Sequence, residues 1–411
     1  MLVGSATSGT LRSPALPGSA ARILAPLAAL HAAMFLYDIR HPERFFNGDR
    51  ALDRVEVIKG FFENTNSLEY LTSHGIPGDW LPHALLYLAG GQYLIIAVQV
   101  MLALLSVLWV LQIGRRLGLD ERAASAAAVL YGLLPHSLVF PHELSSEGLF
   151  IPLVILSFRL GANASGGLAL GVATLIRPLT ALWPFLVFRK IYITFALAPL
   201  LAWMTLMFFA TGEFSMGRSG HDLGNNLYFR MQRMGADLQR PAGQTKATIG
   251  EYLAFVTAHP VAFAKHTARD LGVLSVKSGI ERVVIDYLDF YPETKRELQD
   301  GRTGWRAQVE QRGAFAALME VFREQPGLIV FSALGAAACV VFMVLAAYGA
   351  WVRIRSREWL LLAAFVVYIF ATAQAVDAAH SRHRAPAEFA LCILAVAGWL
   401  ALRRRGEKHV G

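Results

Sequence analysis

Residues 168–188 read LALGVATLIRPLTALWPFLVF, and the threading of the whole chain turns on them. One charge in so long an apolar run fits a single bilayer crossing, which takes about 20 residues. Read that way, Arg189, Lys190 and the later arginine clusters would all face outward. Pro178 argues for a turn instead, because a proline disfavours helix at the residue before it. A hairpin turning at Arg177-Pro178 has arms of about 18 Å at 1.5 Å per residue. Each arm must then lie against other helices or a water-filled cavity.

The basic residues decide for the hairpin. Apolar runs stand at roughly 23–37, 88–112, 123–141, 147–161, 166–176, 179–188, 191–210, 328–350, 359–375 and 387–402. With the N-terminus inside, the inner flanks hold Arg12, Arg22, Arg115, Arg116, Arg122, Arg159, Arg189, Lys190, Arg353, Arg355, Arg357, Arg403, Arg404, Arg405 and Lys408. The short outer loops hold only Arg177, Arg382 and Arg384. Cytoplasmic flanks carry such an excess. Both termini then lie in the cytoplasm.

Composition agrees. The 411 residues are 55% hydrophobic and 17% charged, with a mean hydropathy of +0.44. Soluble domains average about 25% charged residues. A soluble enzyme, a disordered chain and a disulfide scaffold are excluded, and solid apolar runs disfavour a β-barrel. The net charge of +8 reads as cytoplasmic helix ends, with no nucleic-acid partner implied. Cys339 and Cys392 both fall inside apolar runs and read as core fillers. Arg22 precedes a short apolar run as in a signal peptide, but no small-residue cleavage site stands before Asp38. The fold class is an all-α polytopic membrane protein of about ten transmembrane or half-membrane helices. It divides into an N-terminal module (1–210) with a first outer loop (38–87), an outer region with interfacial helices (211–327), and C-terminal helices (328–411).

The first outer loop contains Asn47-Gly48, a turn-forming pair, followed by Asp49. A carboxylate held there is a candidate general base, or else the N-cap of the amphipathic run Ala51 to Phe62. Glu43 and Asp53 nearby read as solvated. The second outer loop holds His142, Glu143 and Glu147 between two apolar helices. Ionisable residues at a membrane edge are candidate functional groups, while Glu147 also favours a helix N-terminus. These three residues do not make a full metal set locally. Arg177 in an apolar stretch calls for a carboxylate partner or a polar cavity. The last outer loop gathers His380, Arg382, His383 and Arg384 just before a span. Arginine forks suit phosphate oxygens, so a phospholipid-like ligand is implied. In 211–327, GHDLGNNLYFRMQRM reads as a loop feeding a short amphipathic helix, and the segment 251–272 as an interfacial helix kinked near Pro260. No phosphate-binding loop, dinucleotide fingerprint, zinc-protease helix or nucleophile elbow is present.

Four segments carry a resemblance: NGDRALDRVEVIKGF (47–61), GRRLGLDERAASAAAVLYGLLPHSLVFPHELSSEGLFIPLVIL (114–156), residues 168–188, and HSRHRAPAEFALCILAVAGW (380–399). Their order and spacing resemble the C-type (GT-C) membrane glycosyltransferase superfamily, in particular bacterial relatives of the protein mannosyltransferases and aminoarabinose transferases. Many such relatives have an aromatic residue where this chain has Asp53, and some an Asp-Glu where it has Asp49-Arg50. The resemblance implies inverting transfer of a sugar from a polyprenyl-phosphate donor to a lipid, glycan or protein acceptor. The reaction would face the periplasm from the bacterial inner membrane, with a divalent metal ion as an open requirement. It implies Asp49 as the base that takes the acceptor proton. Glu147 and Arg177 would line the cavity, and Arg382 and Arg384 would form the phosphate site; Glu143 and His380, from the same two loops, are further substrate-binding candidates on their position alone. The competing classes are a transporter or flippase for a lipid-linked glycan, which needs no base, and a non-catalytic assembly subunit. The absence of an internal repeat counts against an inverted-repeat transporter.

Overall fold

A computed structural model of the protein describes residues 19–47, 51–63, 76–216, 219–236, 246–287, 326–375 and 381–410, and the single residues 70, 319 and 323. Among the described residues there is no β-strand. The helices are α1 (Ser19–Arg40), α2 (Ala51–Glu63), α3 (Leu81–Arg116), α4 (Glu121–Gly132), α5 (Pro135–Val139), α6 (Glu147–Leu160), α7 (Ala164–Ile176) and α8 (Trp183–Val187). They continue with α9 (Lys190–Thr211), α10 (Ser219–Arg233), α11 (Ile249–Ala258), α12 (Pro260–Val276), α13 (Ile280–Tyr287), α14 (Pro326–Arg353), α15 (Arg357–Ala375) and α16 (Glu388–Val410). Six of them among the described residues (α1, α3, α9, α14, α15 and α16) are long and apolar enough to cross a membrane. The chain is an all-α, multi-pass membrane protein.

Local chemistry sets the breaks. The run expected as one span over 123–141 is instead a bent pair, α4 with the segment Pro135–His142, turned by 64°. Pro135 cannot continue the preceding helix but suits the first position of a new one. α7 stops at Ile176; Arg177 is extended, and Pro178–Thr180 form a 3₁₀ turn leading into α8. The side chains of Asp120 and Asn163 cap α4 and α7, accepting from Ala123 N and Gly166 N at 2.9 Å. The GHDLGNN stretch, expected as a loop, is helical as the first half of α10. Its continuation supplies a stripe, Leu227, Tyr228 and Met231, that packs on Ala247 and α11 and outweighs the weak local propensity. α11 and α12 meet at His259, just before Pro260, at the expected kink.

The bundle closes through small residues and one aromatic cluster. α7 lies so near α9 that a Cβ on Gly167 or Gly171 would collide with the carbonyls of Tyr192 and Ala196. Gly349 of α14 and Gly398 of α16 face each other in the same way, against the carbonyls of Leu394 and Leu345. Such contacts hold helices together in lipid, where apolar surface alone gives no drive to associate. Phe158, Trp183, Phe365 and Phe389 join α6, α8, α15 and α16, with Phe158–Phe365 centroids 4.7 Å apart and Trp183–Phe365 4.9 Å.

The two ends of the bundle differ. At one, Arg116 donates to the carbonyls of Arg159 (2.8 Å) and Phe158 (2.7 Å), Arg357 to that of Val187 (3.3 Å), and Trp359 to that of Leu117 (3.1 Å). At the other end lie the connections 41–47, 76–80, 140–147 and 177–180, with the turn 381–387. There α10 and α12 are pinned by Arg230, which donates to the Gln374 carbonyl, to Gln374 Oε1 (3.2 Å) and to Thr267 Oγ1 (3.1 Å), with Asp270 at 3.6 Å.

Candidate functional site

Glu147 opens α6 at the second of these ends and is buried. Its Oε1 accepts from Arg177 Nη1 and lies 4.0 Å from Arg382 Nε. Ser146 Oγ, 3.3 Å from Glu147 Oε2, is itself reached by Arg54 Nη2 at 3.5 Å. Arg54 also donates to Asp79 Oδ1 (3.0 Å) and to the Leu144 carbonyl (3.4 Å). Four connections and α2 thus bring two guanidinium groups onto one buried carboxylate and a third, that of Arg54, onto the neighbouring Ser146, with Asp79 as the second acid.

Each side chain is held by local backbone. Arg177 leaves α7 in extended geometry because Pro178 follows it. Arg54 comes from α2, and the loop it reaches is tied to the first connection by Leu144 N donating to the Phe45 carbonyl at 2.9 Å. Gly148 permits this packing, since a Cβ there would strike Gln99, whose amide donates to the Glu143 carbonyl at 3.2 Å. The side chains of Arg177 and Arg382 are 20% and 26% exposed, against 4% for Glu147. The arginines therefore form an accessible cationic rim over a buried acid, an arrangement suited to binding a phosphate.

The other candidates named from the sequence separate. Glu143 is buried and pairs with Arg282 of α13 at 3.0 Å. Arg384 turns away from the rim: it is buried, donates to Glu388 Oε1 (3.1 and 3.2 Å) and to the Leu274 carbonyl (2.6 Å), and Glu388 Oε1 also meets His136 Nδ1 at 2.9 Å. Its fork is engaged in the core, so the pairing of Arg382 with Arg384 in one phosphate site does not follow from the geometry. A cavity of about 20 Å³, with room for about one water, lies between Glu147, Glu388 and His136. Asp49 and His380 lie outside the described residues. Phe45 and Arg54, described on either side of Asp49, both bond to the Leu144–Ser146 loop.

Sequence reading misses Arg54, Asp79, His136 and Glu388, and also His31 and Asp38, which form a buried line with His142: His31 Nδ1 lies 3.0 Å from His142 Nε2, and His142 Nδ1 2.6 Å from Asp38 Oδ2. His31, His136 and Glu388 stand within or at the edge of apolar runs, and the rule that intramembrane ionisable residues are functional candidates would find them. No such signal marks Arg54 or Asp79, which are surrounded by other charges in a hydrophilic loop. Among the described residues no group of three or more His, Cys, Asp or Glu side chains is placed to hold a metal ion. No protein-family model, curated protein or solved structure matches this chain.

Proposed function

We infer that the protein is a membrane glycosyltransferase that takes a sugar from a polyprenyl-phosphate donor and transfers it, with inversion, to a lipid, glycan or protein acceptor. The observation that carries this reading is the convergence of Arg177 and Arg382 on buried Glu147, with Arg54 on the neighbouring Ser146, at the end of the bundle where the hydrophilic connections meet. In the proposed reaction Asp49 takes the proton of the acceptor hydroxyl. The oxygen then attacks the anomeric carbon from the face opposite the phosphate, and the carbon–oxygen bond to the phosphate breaks. Arg177 and Arg382 neutralise the charge on the departing phosphate. Glu147 holds Arg177 in place. The reading also includes ten membrane segments, counting the Arg177 hairpin as two, with both termini in the cytoplasm and the site facing the periplasm of a bacterial inner membrane.

Transfer by the purified protein from a polyprenyl-phosphate sugar, without a membrane gradient, tests the class. Transport without transfer would assign the chain to a lipid-glycan flippase instead. Arg382→Ala should raise the donor KM by about 10- to 100-fold, as loss of a charged hydrogen bond worth about 1.5–3 kcal/mol requires. Arg382→Lys should recover little, because an ammonium lacks the planar pair of donors. An unchanged KM in the alanine variant removes Arg382 from the phosphate site.

Orientation is testable with cysteines added after replacing Cys339 and Cys392. A probe that cannot cross membranes should label exposed Ala258→Cys from outside, and should fail at exposed Ser356→Cys until the membrane is opened. Outside labelling at Ser356→Cys would reverse the assigned orientation.

A further inference from the structure

The end of the bundle opposite the arginine rim has a charge cluster of its own. The turn between α8 and α9 supplies Arg189 and Lys190, and the turn between α14 and α15 supplies Arg353, Arg355 and Arg357, against one acid, Glu358. The two turns touch, because Arg357 Nη2 donates to the Val187 carbonyl at 3.3 Å. Arg353 lies over the Trp359 ring, 5.4 Å from its centroid. Arg353 and Arg357 therefore build the corner. Arg189, Lys190 and Arg355 are exposed, and their side chains carry no ion pair among the described residues. Helix geometry adds to the same field: α9 begins at Lys190 with no acid in its first turn, and the N-terminal end of a helix dipole is already positive.

Apolar side chains stand exposed among these cations. Phe188, directly before Arg189, is 79% exposed and has a left-handed backbone (φ +53°), an outlier for a bulky residue. Trp351 and Ile354, on either side of Arg353, are 74% and 49% exposed. In water these rings would be poorly placed. At the ends of α9, α14 and α15, three helices fit to cross a membrane, they lie at the level where aromatic side chains meet headgroups.

We propose that this corner binds an anionic phospholipid, its phosphate held by Arg189, Lys190 and Arg355 and its acyl chains against Phe188 and Trp351. The combination of groups decides the occupant. Guanidinium and ammonium donors match phosphate oxygens, and basic clusters beside membrane spans attract anionic headgroups. A soluble phosphate, an acidic protein or a nucleic acid would leave Phe188 and Trp351 in water. A zwitterionic lipid would bring its own cation against the arginines. The site shares no residue with the arginine rim, so it stands or falls apart from sugar transfer.

The test measures binding of tail-labelled phosphatidylglycerol and phosphatidylcholine, with matched acyl chains, to the full-length protein in an uncharged detergent. A cation at a membrane surface favours anionic lipid by about 5-fold, so three should give a preference on the order of 100-fold. Added salt should shrink it. Arg189→Gln and Arg355→Gln should each lower the preference by about 5-fold, and together by about 25-fold. Arg22→Gln with Arg122→Gln, which removes as much charge from exposed positions on α1 and α4, should leave it unchanged. Phe188→Ser should weaken both lipids alike. Equal binding of the two lipids by the unaltered protein would overturn the proposal. So would equal losses in the two double variants, which would show diffuse charge in place of a site. Displacement of the bound lipid by soluble glycerol phosphate would assign the corner to a free phosphate and overturn it as well.

Discussion

Asp49→Asn is expected to lower transfer by about 10²- to 10⁴-fold while leaving donor binding intact, because loss of a positioned general base typically costs that much. The substitution keeps the side chain's size, and asparagine caps helices as well as aspartate does, so a purely capping Asp49 would leave activity near normal. Asp49 immediately precedes a segment that reaches the rim: Arg54, on α2, bonds to Asp79 and to the Leu144–Ser146 loop. Turnover and donor affinity of the purified, monodisperse variant decide the question. An active variant would pass the role to another carboxylate or end the transferase reading.

The second large effect concerns stability. Glu388→Ala is expected to destabilise the protein by about 3–5 kcal/mol, the cost of removing one partner from a buried ion pair. Glu388 and its partners Arg384 and His136 all have side chains 2% exposed. Without the carboxylate, Arg384 keeps the Leu274 carbonyl but no counter-charge in this core contact. Melting in detergent, followed by size-exclusion chromatography, should show a large drop for Glu388→Ala and a smaller one for Glu388→Gln, whose amide oxygen still accepts. Arg382→Ala, at the partly exposed rim, should melt close to the unaltered protein. Equal melting of all three variants would deny Arg384 and Glu388 their part in holding the core.

Arg382 and Arg384 also show where sequence reading stops. They lie two residues apart in one basic loop, which suggests one role for both, yet the 3₁₀ turn at Ser381–His383 sends Arg382 towards Glu147 and Arg384 into the core. Local sequence carries no record of such divergence. Arg177 is more legible: a charge in an apolar stretch demands a carboxylate, and Glu147, 30 residues away, supplies it. The apolar runs themselves are plain, because a bilayer demands length and low polarity together. Where those runs break is harder to read, even at proline. Pro178 announces the turn after α7, whereas the bend before Pro135 lies inside a run that reads as a single span. The His31–His142–Asp38 line could not be foreseen, since it joins α1 to a loop more than 100 residues later.

The break in α3 has a consequence for how much of that helix crosses the bilayer. A straight helix of its 36 residues would measure about 54 Å, well beyond a hydrocarbon core of about 30 Å. Gly90 and Gly91 interrupt it, and Gly91, at φ +67°, adopts a conformation that side-chain-bearing residues rarely take. Residues 92–116, about 37 Å long, suffice to cross alone. The arm before the break leaves Leu85, Tyr87 and Leu88 exposed, as suits the boundary between headgroups and acyl chains. The two parts therefore take separate directions: the inclination of residues 92–116 is set by the helices they pack against, with Gln99 on the Glu143 carbonyl, while the arm holds Asp79 against Arg54 and Gly78 against Leu175.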